Sequence, residues 1–293
     1  MKQLIKKIIR GLIYKGFFDF LPDKQFVKIT YYAHIGKKLD LKNPQTYNEK
    51  LQWLKLYDRK PEYTRMVDRY EAKRYVADII GEEHTIPTLG VWDRFDDIDF
   101  DSLPDKFVLK CTHDSGGLVI CRDKAKFDKE LARKKIEKSL KQNYYYTCRE
   151  WPYKDVKSRI IAEEYMENKE GKGLTDYKFY CFDGEVPYLY ISEGLEDHST
   201  ARISFLTADW QFAPFGRSDY APYEELPEKP QTYEQMLEFA KLLSKGHKFL
   251  RVDLYEINGQ VYFSELTFYP CGGYMPFKPQ EWDLKLGSYI KLP

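Results

Sequence analysis

The chain reads as an α+β protein with a helical N-terminal extension, on three observations. Two stretches of helical period open with capping-box signatures, Thr46-Tyr47-Asn48-Glu49 and Thr232-Tyr233-Glu234-Gln235. In such a box a threonine hydroxyl and an acid or amide three residues on satisfy the orphan amides of the first turn. Short apolar and aromatic runs meet at Ser115-Gly116-Gly117, Asp183-Gly184 and Asn258-Gly259, the pattern of antiparallel hairpins. Finally, 293 residues suffice for a full core and for two sub-domains.

Taken in order, residues 2–18 form a basic amphipathic helix, with Leu4, Ile5, Ile8, Ile9, Leu12 and Ile13 at helical spacing among Lys2, Lys6, Lys7, Arg10 and Lys15. Such a helix either lies on an anionic membrane surface or packs its apolar stripe on the protein body and leaves its lysines in water. Asn43-Pro44 breaks the chain before a helix that runs from the first capping box through Tyr57. A further helix is expected from Thr64 to Ile80, closed by Gly81 and carrying Arg65, Arg69, Lys73 and Arg74. Lys106–Lys110 reads as a buried strand, Cys111–Gly117 as a loop and Leu118–Cys121 as the returning strand. A helix near Asp128–Lys141 precedes strands at Arg159–Met166, Asp176–Phe182 and Glu185–Ile191. The second capping box starts a helix that stops by Gly246, and a hairpin turning at Asn258-Gly259 closes the fold.

Composition removes several function classes. No apolar run approaches the roughly 20 residues of a spanning helix, and the start lacks the small-residue cleavage site of a signal peptide. Forty-seven basic against 46 acidic side chains argue against a dedicated nucleic-acid binder. Cys111, Cys121, Cys148, Cys181 and Cys271 are odd in number and widely spaced, which suggests neither a disulfide framework nor a structural zinc site and fits a reducing cytoplasm. The 25 tyrosines suit either sugar stacking or a tyrosine-rich core.

Chemistry concentrates in the last hairpin. Asp253 and Glu265 make a magnesium clamp only if they share a face, and the turn decides that, because side chains alternate along a strand. A two-residue loop pairs Ile257 with Gln260 and sends the two acids to opposite faces. A three-residue loop closing in a Gly bulge pairs Glu256 with Gln260, sets both acids on one face and brings Arg251 opposite Glu265. The alternative is a half-exposed hairpin with solvated acids. Earlier in the chain, Lys110 ends a strand before His113, Ser115, Gly116 and Gly117, where glycines admit a phosphate to the backbone and the lysine neutralises it. Neither a P-loop nor Gly-x-Gly-x-x-Gly is present, and a plain Gly-Gly hairpin explains the same residues. Glu163-Glu164-Tyr165-Met166 at a strand end offers amides to an adenine and a carboxylate to a ribose, or is ordinary strand-end sequence. Asp176, Lys178 and Tyr180 share one face of their strand, either a cation beside the metal or a solvated sheet face.

The order of these parts resembles the ATP-grasp superfamily. Asn43-Pro44-Gln45-Thr46-Tyr47-Asn48-Glu49-Lys50, Asp176-Tyr177-Lys178-Phe179, Arg251-Val252-Asp253-Leu254-Tyr255 and Glu265-Leu266-Thr267-Phe268-Tyr269-Pro270 are similar to the TupA-like (teichuronopeptide biosynthesis) ATP-grasp family over about residues 30–293. The resemblance implies ATP and Mg2+ as cofactors and a nucleotide held between two α+β sub-domains. It implies a helical extension over 1–60 and an ATP-grasp region over 61–293, with the Lys/Gly loop in 61–165 and the metal site in 166–293. Carried over by position, Lys110, Arg69 and Lys73 contact phosphates together with His113, Ser115, Gly116 and Gly117. Glu163 to Met166 form the adenine hinge, Asp253, Glu265 and Thr267 hold the metal, and Lys110, Lys178 and Arg251 are catalytic through their charge. The family pattern has Asp-Lys where this chain has Asp68-Arg69, an Arg in place of Lys73, and often an Asn in place of Thr267.

The implied activity is carboxylate–amine ligation in cell-surface polysaccharide biosynthesis, with a sugar acid or polysaccharide precursor and an amine donor as partners. His198 and Arg202 are the acceptor-site candidates. Rival readings are a sugar kinase on the same fold and a glycosyltransferase, the latter supported only by Asp97-Ile98-Asp99 in an acidic loop. A cytoplasmic protein is expected, with residues 2–18 as the candidate contact to the inner membrane face.

Overall fold

The computed structural model describes residues 2–168, 174–194 and 201–293. Helices α1 (Lys2–Tyr14), α2 (Asp23–Ile35) and α3 (Tyr47–Tyr57) come first. The α1 stripe is divided between the two expected fates. Ile13 is buried and Ile9 packs with it on Phe26 and Ala33 of α2, while Leu4, Ile5 and Ile8 face outward. At α3 the capping box forms as expected, with Thr46 accepting from Glu49 N and the Glu49 carboxylate accepting from Thr46 N.

The single helix expected over 64–80 is instead two, α4 (Glu62–Val67) and α5 (Glu71–Ile80). Asp68 causes the break. Its backbone is extended, and its buried carboxylate accepts from Tyr70 N at 2.9 Å and pairs with Arg159 at 2.7 Å, so it ends α4 and holds the turn that leads into α5.

A first antiparallel sheet contains β1 (Thr88–Trp92), β2 (Phe107–Cys111), β3 (Leu118–Cys121) and β4 (Ile160–Glu164) in the order β1-β4-β2-β3. Between β3 and β4, α6 (Lys129–Leu140) starts at Asp128, which accepts from Leu131 N, and buries Ala132 and Ile136 against Leu109 and Cys111. The short α7 (Tyr145–Cys148) follows it.

The second sheet carries most of the core. It comprises β5 (Asp176–Phe182), β6 (Glu185–Glu193), β7 (Arg202–Thr207), then, after the two-residue strand β8 (Gly216–Arg217) and α8 (Tyr233–Ser244), β9 (Leu250–Ile257) and β10 (Gln260–Thr267), in the order β10-β9-β5-β6-β7. A short β11 (Phe277–Lys278) pairs with β8, and α9 (Trp282–Tyr289) ends the chain's regular structure. Phe179, Val252 and Leu254 face Met236, Ala240 and Leu243 of α8 in one large cluster. Alternation then puts Lys178, Arg251 and Asp253 on the opposite face. The second capping box does not form. Thr232 makes no cap, and its hydroxyl and amide both go to Glu256 on β9.

The last hairpin corrects the register argument. Ile257 pairs with Gln260 across a two-residue turn in which Asn258 and Gly259 both have positive φ, 55° and 81°. By parity alone that turn would separate the two acids. Pairing runs unbroken to Phe263 opposite Leu254, and then Ser264 bulges out, so that Glu265 lands directly opposite Asp253. The extra residue of a bulge reverses the parity of everything after it. Thr267, rather than Glu265, ends up opposite Arg251.

α9 docks on the start of α3 through Gly287, where a Cβ would lie 2.2 Å from the Gln45 carbonyl oxygen and 2.7 Å from the Tyr47 amide nitrogen. Gly287→Ala is therefore expected to destabilise the protein by about 1–3 kcal/mol, as overpacking against rigid backbone does. A shift of the urea midpoint at unchanged slope measures it.

Candidate active site

The open face of the second sheet carries a closed ionic cluster. Arg251 donates from Nε to Asp253 Oδ1 and from Nη2 to Oδ2, both at 2.6 Å. Its Nη2 also reaches Glu265 Oε1 at 2.8 Å and Thr267 Oγ1 at 2.9 Å, and its Nη1 reaches the Tyr190 hydroxyl at 3.3 Å. Lys178 stands beside Asp253 in register, with Nζ 2.7 Å from Asp253 Oδ2 and 3.2 Å from Asp176. Complete burial pushes the Asp253 carboxyl up, against the pull of Arg251 and Lys178. Glu265 is only partly enclosed, and Arg251, Lys178 and Arg69 overcome the effect of its burial and hold the carboxyl down at about 2.

The cluster offers magnesium two carboxylates, of which Glu265 has a free oxygen among the described residues while both Asp253 oxygens are taken by Arg251 and Lys178. Glu265 keeps a side chain 39% exposed, and among the described residues only its Oε1 is engaged. Asp253 lies opposite it, and the Thr267 hydroxyl is 3.1 Å from Glu265 Oε1. Among the described residues no group of three or more His, Cys, Asp or Glu side chains is placed to hold a metal. A pair of carboxylates is nevertheless what Mg2+ uses when phosphates and waters complete its octahedron.

Arg69, Asp114, Tyr153 and Glu265 line a narrow crevice, and the first sheet carries a second group of charges. Glu163 on β4 is buried between two ammonium groups, an ion pair with Lys73 and one with Lys110 at 2.6 Å. Burial alone would raise its carboxyl, and the two lysines hold it down at about 2. The structure thus brings Lys73, Lys110 and Glu163 together and makes Glu163 their shared counter-ion rather than a free ribose ligand. Lys73 also donates to Ile86 O at 2.6 Å. Glu164, Tyr165 and Met166 follow as β4 ends, with Glu164 N on Pro87 O and the Tyr165 hydroxyl on Arg122. The hairpin turn touches this stretch, as Asn258 Nδ2 donates to Glu167 O at 3.4 Å.

The glycine loop is tied down at its base. Gly117 N donates to Asp114 Oδ1 at 3.0 Å, Asp114 also bonds Ser139, and Arg69 donates to Cys111 O at 2.8 Å and to Asp114 O. A Cβ at Gly117 would meet Cys111 Sγ at 2.6 Å, so only glycine fits. Ser115 and Gly116 remain exposed at the tip. His113 departs from its expected role. Its ring is buried, with Nε2 on the carbonyls of Ser139 and Gln142 at 3.1 and 3.0 Å, which makes it a strut between loop and α6.

Of the acceptor candidates, His198 lies outside the described residues. Arg202 sits on the outermost strand with Pro222 O and Glu224 as partners, away from the ionic cluster. Asp97 pairs with Arg94 at 2.6 Å and Asp99 caps the Asp101 amide, so both acids serve local structure. Reasoning from sequence missed Tyr190, whose hydroxyl meets Arg251, and Glu150, a buried acid from the segment that follows α7. The available signal was aromatic density, with Tyr144, Tyr145, Tyr146, Trp151 and Tyr153 flanking Arg149-Glu150.

A family model described as TupA-like ATPgrasp matches residues 49–291, and the chain belongs to that family. No curated protein sequence matches it. Among solved structures it is similar to D-alanine–D-alanine ligase from Helicobacter pylori, at 18% identity over 86% of this chain and 70% of that one, TM-score 0.48. It is also similar to the Bacillus anthracis enzyme of the same name complexed with ATP, at 16% identity over 77% and 64% of the two chains, TM-score 0.44. D-cycloserine synthetase DcsG is similar at 15% identity over 77% and 70%, TM-score 0.41.

The Glu163 ion pairs carry a pH signature. A carboxyl held at about 2 when folded stabilises the protein above its unfolded range, and that contribution disappears as pH falls through the folded value. It amounts to roughly 3 kcal/mol at neutral pH, taking an unfolded value near 4.3. Glu163→Gln should lower stability at pH 7 and flatten the fall of stability between about pH 4.5 and 2, read from urea denaturation at each pH.

Proposed function

We propose that this member of the TupA-like ATP-grasp family is an ATP- and Mg2+-dependent carboxylate–amine ligase of cell-surface polysaccharide biosynthesis, joining an amino acid or peptide to a sugar acid. The observation that carries the proposal is a crevice in which Arg69 faces Glu265 of the Lys178–Arg251–Asp253–Glu265 cluster, in a chain that also builds a second buried charge cluster, Lys73–Glu163–Lys110. The chain spans 64% and 57% of the first two similar ligase chains, so activity and substrates rest on this geometry and on family membership.

Bound Mg-ATP supplies the phosphoryl group that turns a carboxylate into an acyl phosphate. Asp253, Glu265 and Thr267 are the residues that would hold the metal, and Lys73, Lys110 and Arg69 the phosphates, with Ser115, Gly116 and Gly117 covering them. Residues Glu163 to Met166 supply the edge that receives the base. Arg251 and Lys178 are fixed in place by their carboxylate partners and need no reorganisation when negative charge develops nearby, which is the condition under which such groups contribute most to rate. ADP and phosphate should therefore form only when an acid and an amine are both present. Glu265→Gln should lower that turnover about 10²-fold or more, and ADP release without amide would move the assignment to a kinase.

The same reading places the protein in the cytoplasm, against the inner membrane face. No described helix is long and apolar enough to cross a membrane. What supports surface contact is the N-terminal segment, where Leu4, Ile5, Ile8, Tyr14, Phe17 and Phe20 make up six of the sixteen large apolar side chains exposed among the described residues. Lys2, Lys6, Lys7, Arg10 and Lys15 accompany them, with no acid before Asp19. Each such cation adds about 1 kcal/mol at an anionic surface. Co-sedimentation with phosphatidylglycerol vesicles, absent with phosphatidylcholine and weakened by salt, is the expected result. The double change Leu4→Ser and Ile8→Ser should abolish it.

A further inference from the structure

Carboxylate–amine ligation leaves one chemical demand unassigned. The attacking amine is an ammonium ion at neutral pH and must lose a proton before its nitrogen can attack. The described histidines are committed elsewhere. His34, His84 and His113 bond main-chain carbonyls, and His247 packs between Tyr63 and Phe268. Asp253 and Glu265 are held by Arg251.

Glu150 is the exception. It is 4% exposed, and among the described residues its carboxylate takes no hydrogen bond or ion pair. Lys55, a buried cation that acts on it, spends its ammonium on Cys148 O at 2.9 Å and Gly272 O at 2.6 Å and on the rings of Tyr269 and Tyr274. The groups acting on Glu150 are Lys55 from α3, Arg251 from β9 and Glu265 from β10, and it in turn acts on the phenols of Tyr144 and Tyr153. Tyr153, whose N donates to Glu150 O at 3.1 Å, lines the crevice together with Glu265 and Arg69, so the segment that carries Glu150 forms part of the crevice wall. Burial holds its carboxyl up at about 7, the range in which a base exchanges protons with an amine most readily near neutral pH.

Resting on the ligase reading, we propose that Glu150 binds the ammonium group of the amine donor and accepts its proton. The balance is complete. The donor's ammonium gives one proton to the Glu150 carboxylate, its nitrogen forms the C–N bond to the acyl carbon, and the C–O bond to phosphate breaks with its electron pair on oxygen. The departing phosphate takes the second nitrogen proton.

Hydroxylamine separates this step from activation of the acid, because it is already uncharged at neutral pH and needs no base. The test supplies ATP, Mg2+ and a panel of glucuronate and galacturonate with either hydroxylamine or a set of amino acids and methylamine. Glu150→Gln is expected to keep hydroxamate formation while amide formation falls by about 10²–10⁴-fold. Glu150→Asp, which keeps a carboxylate, should recover part of the amide rate. Equal loss of both products in folded Glu150→Gln would mean a structural role, and an unchanged amide rate would mean no role. Either result overturns the proposal. Failure of the wild-type protein to form any hydroxamate would instead overturn the ligase reading, and this inference with it.

Discussion

Arg251 is the residue on which the site depends. One guanidinium holds Asp253 through two bonds, Glu265 through a third and Thr267 through a fourth, so two strands present their acids at a fixed separation. Charges this deeply buried persist only when paired, and losing one partner typically costs about 3–5 kcal/mol because the others are left unmatched. Lys178 adds a second cation on the neighbouring strand, and β5, β9 and β10 are thereby locked in register by side chains as well as by their ladders. Chain stability and site geometry are consequently one property here.

That geometry turns on a single inserted residue. With a two-residue turn at Asn258-Gly259, an unbroken hairpin would set Glu265 beside Val252 on the core face and carry a carboxylate into the packing under α8. The bulge at Ser264 prevents this and bends the strand locally, which is the usual effect of such an insertion near functional sites. Residues before the bulge follow the turn's parity, so Phe263 and Val261 reach the core, and residues after it follow the opposite parity, so Leu266 does too. One residue lets the strand bury apolar side chains along its whole length and still turn an acid to the crevice.

Much of the architecture was legible in the sequence because local signals and tertiary demands agree there. The strands Leu118–Cys121 and Asp176–Phe182 and the helix from the Thr46 box to Tyr57 stand at their expected limits. The departures share a physical origin in long-range partners. Asp68 breaks a helix that periodicity would continue, because Arg159, far along the chain, secures its carboxylate. Thr232 gives up its cap to Glu256 across the α8–β9 interface. Of the site, the clustering of Lys178, Arg251, Asp253 and Glu265 was readable from strand alternation once a register was chosen, but no propensity distinguishes Ser264 as the bulged residue. Glu150 was invisible for a related reason. A lone glutamate in an aromatic segment acquires significance only when the fold buries it and gives its natural counter-ion other work.

That counter-ion ties the N-terminal helices to the site. After β10 the chain passes through Cys271, Gly272 and Gly273 with φ of 52°, 61° and 71°, a run of left-handed residues that costs about 1–2 kcal/mol at the cysteine, where a Cβ is present. The carbonyls of this turn are collected from outside. Lys55 and Gln52 of α3 both donate to Gly272 O, Gln52 also to Gly273 O, and Asn48 brackets Met275 with two further bonds. By its contacts α3 belongs with α9 and the chain that follows β10, and it holds in place the turn that leaves that strand. Lys55 reaches at the same time to Cys148 O, two residues before Glu150, so one buried ammonium fixes both the exit of β10 and the segment that carries the unpaired acid. A helix that begins at a capping box near residue 46 thus sets the distance between the acids that hold charge and the acid left free to exchange a proton.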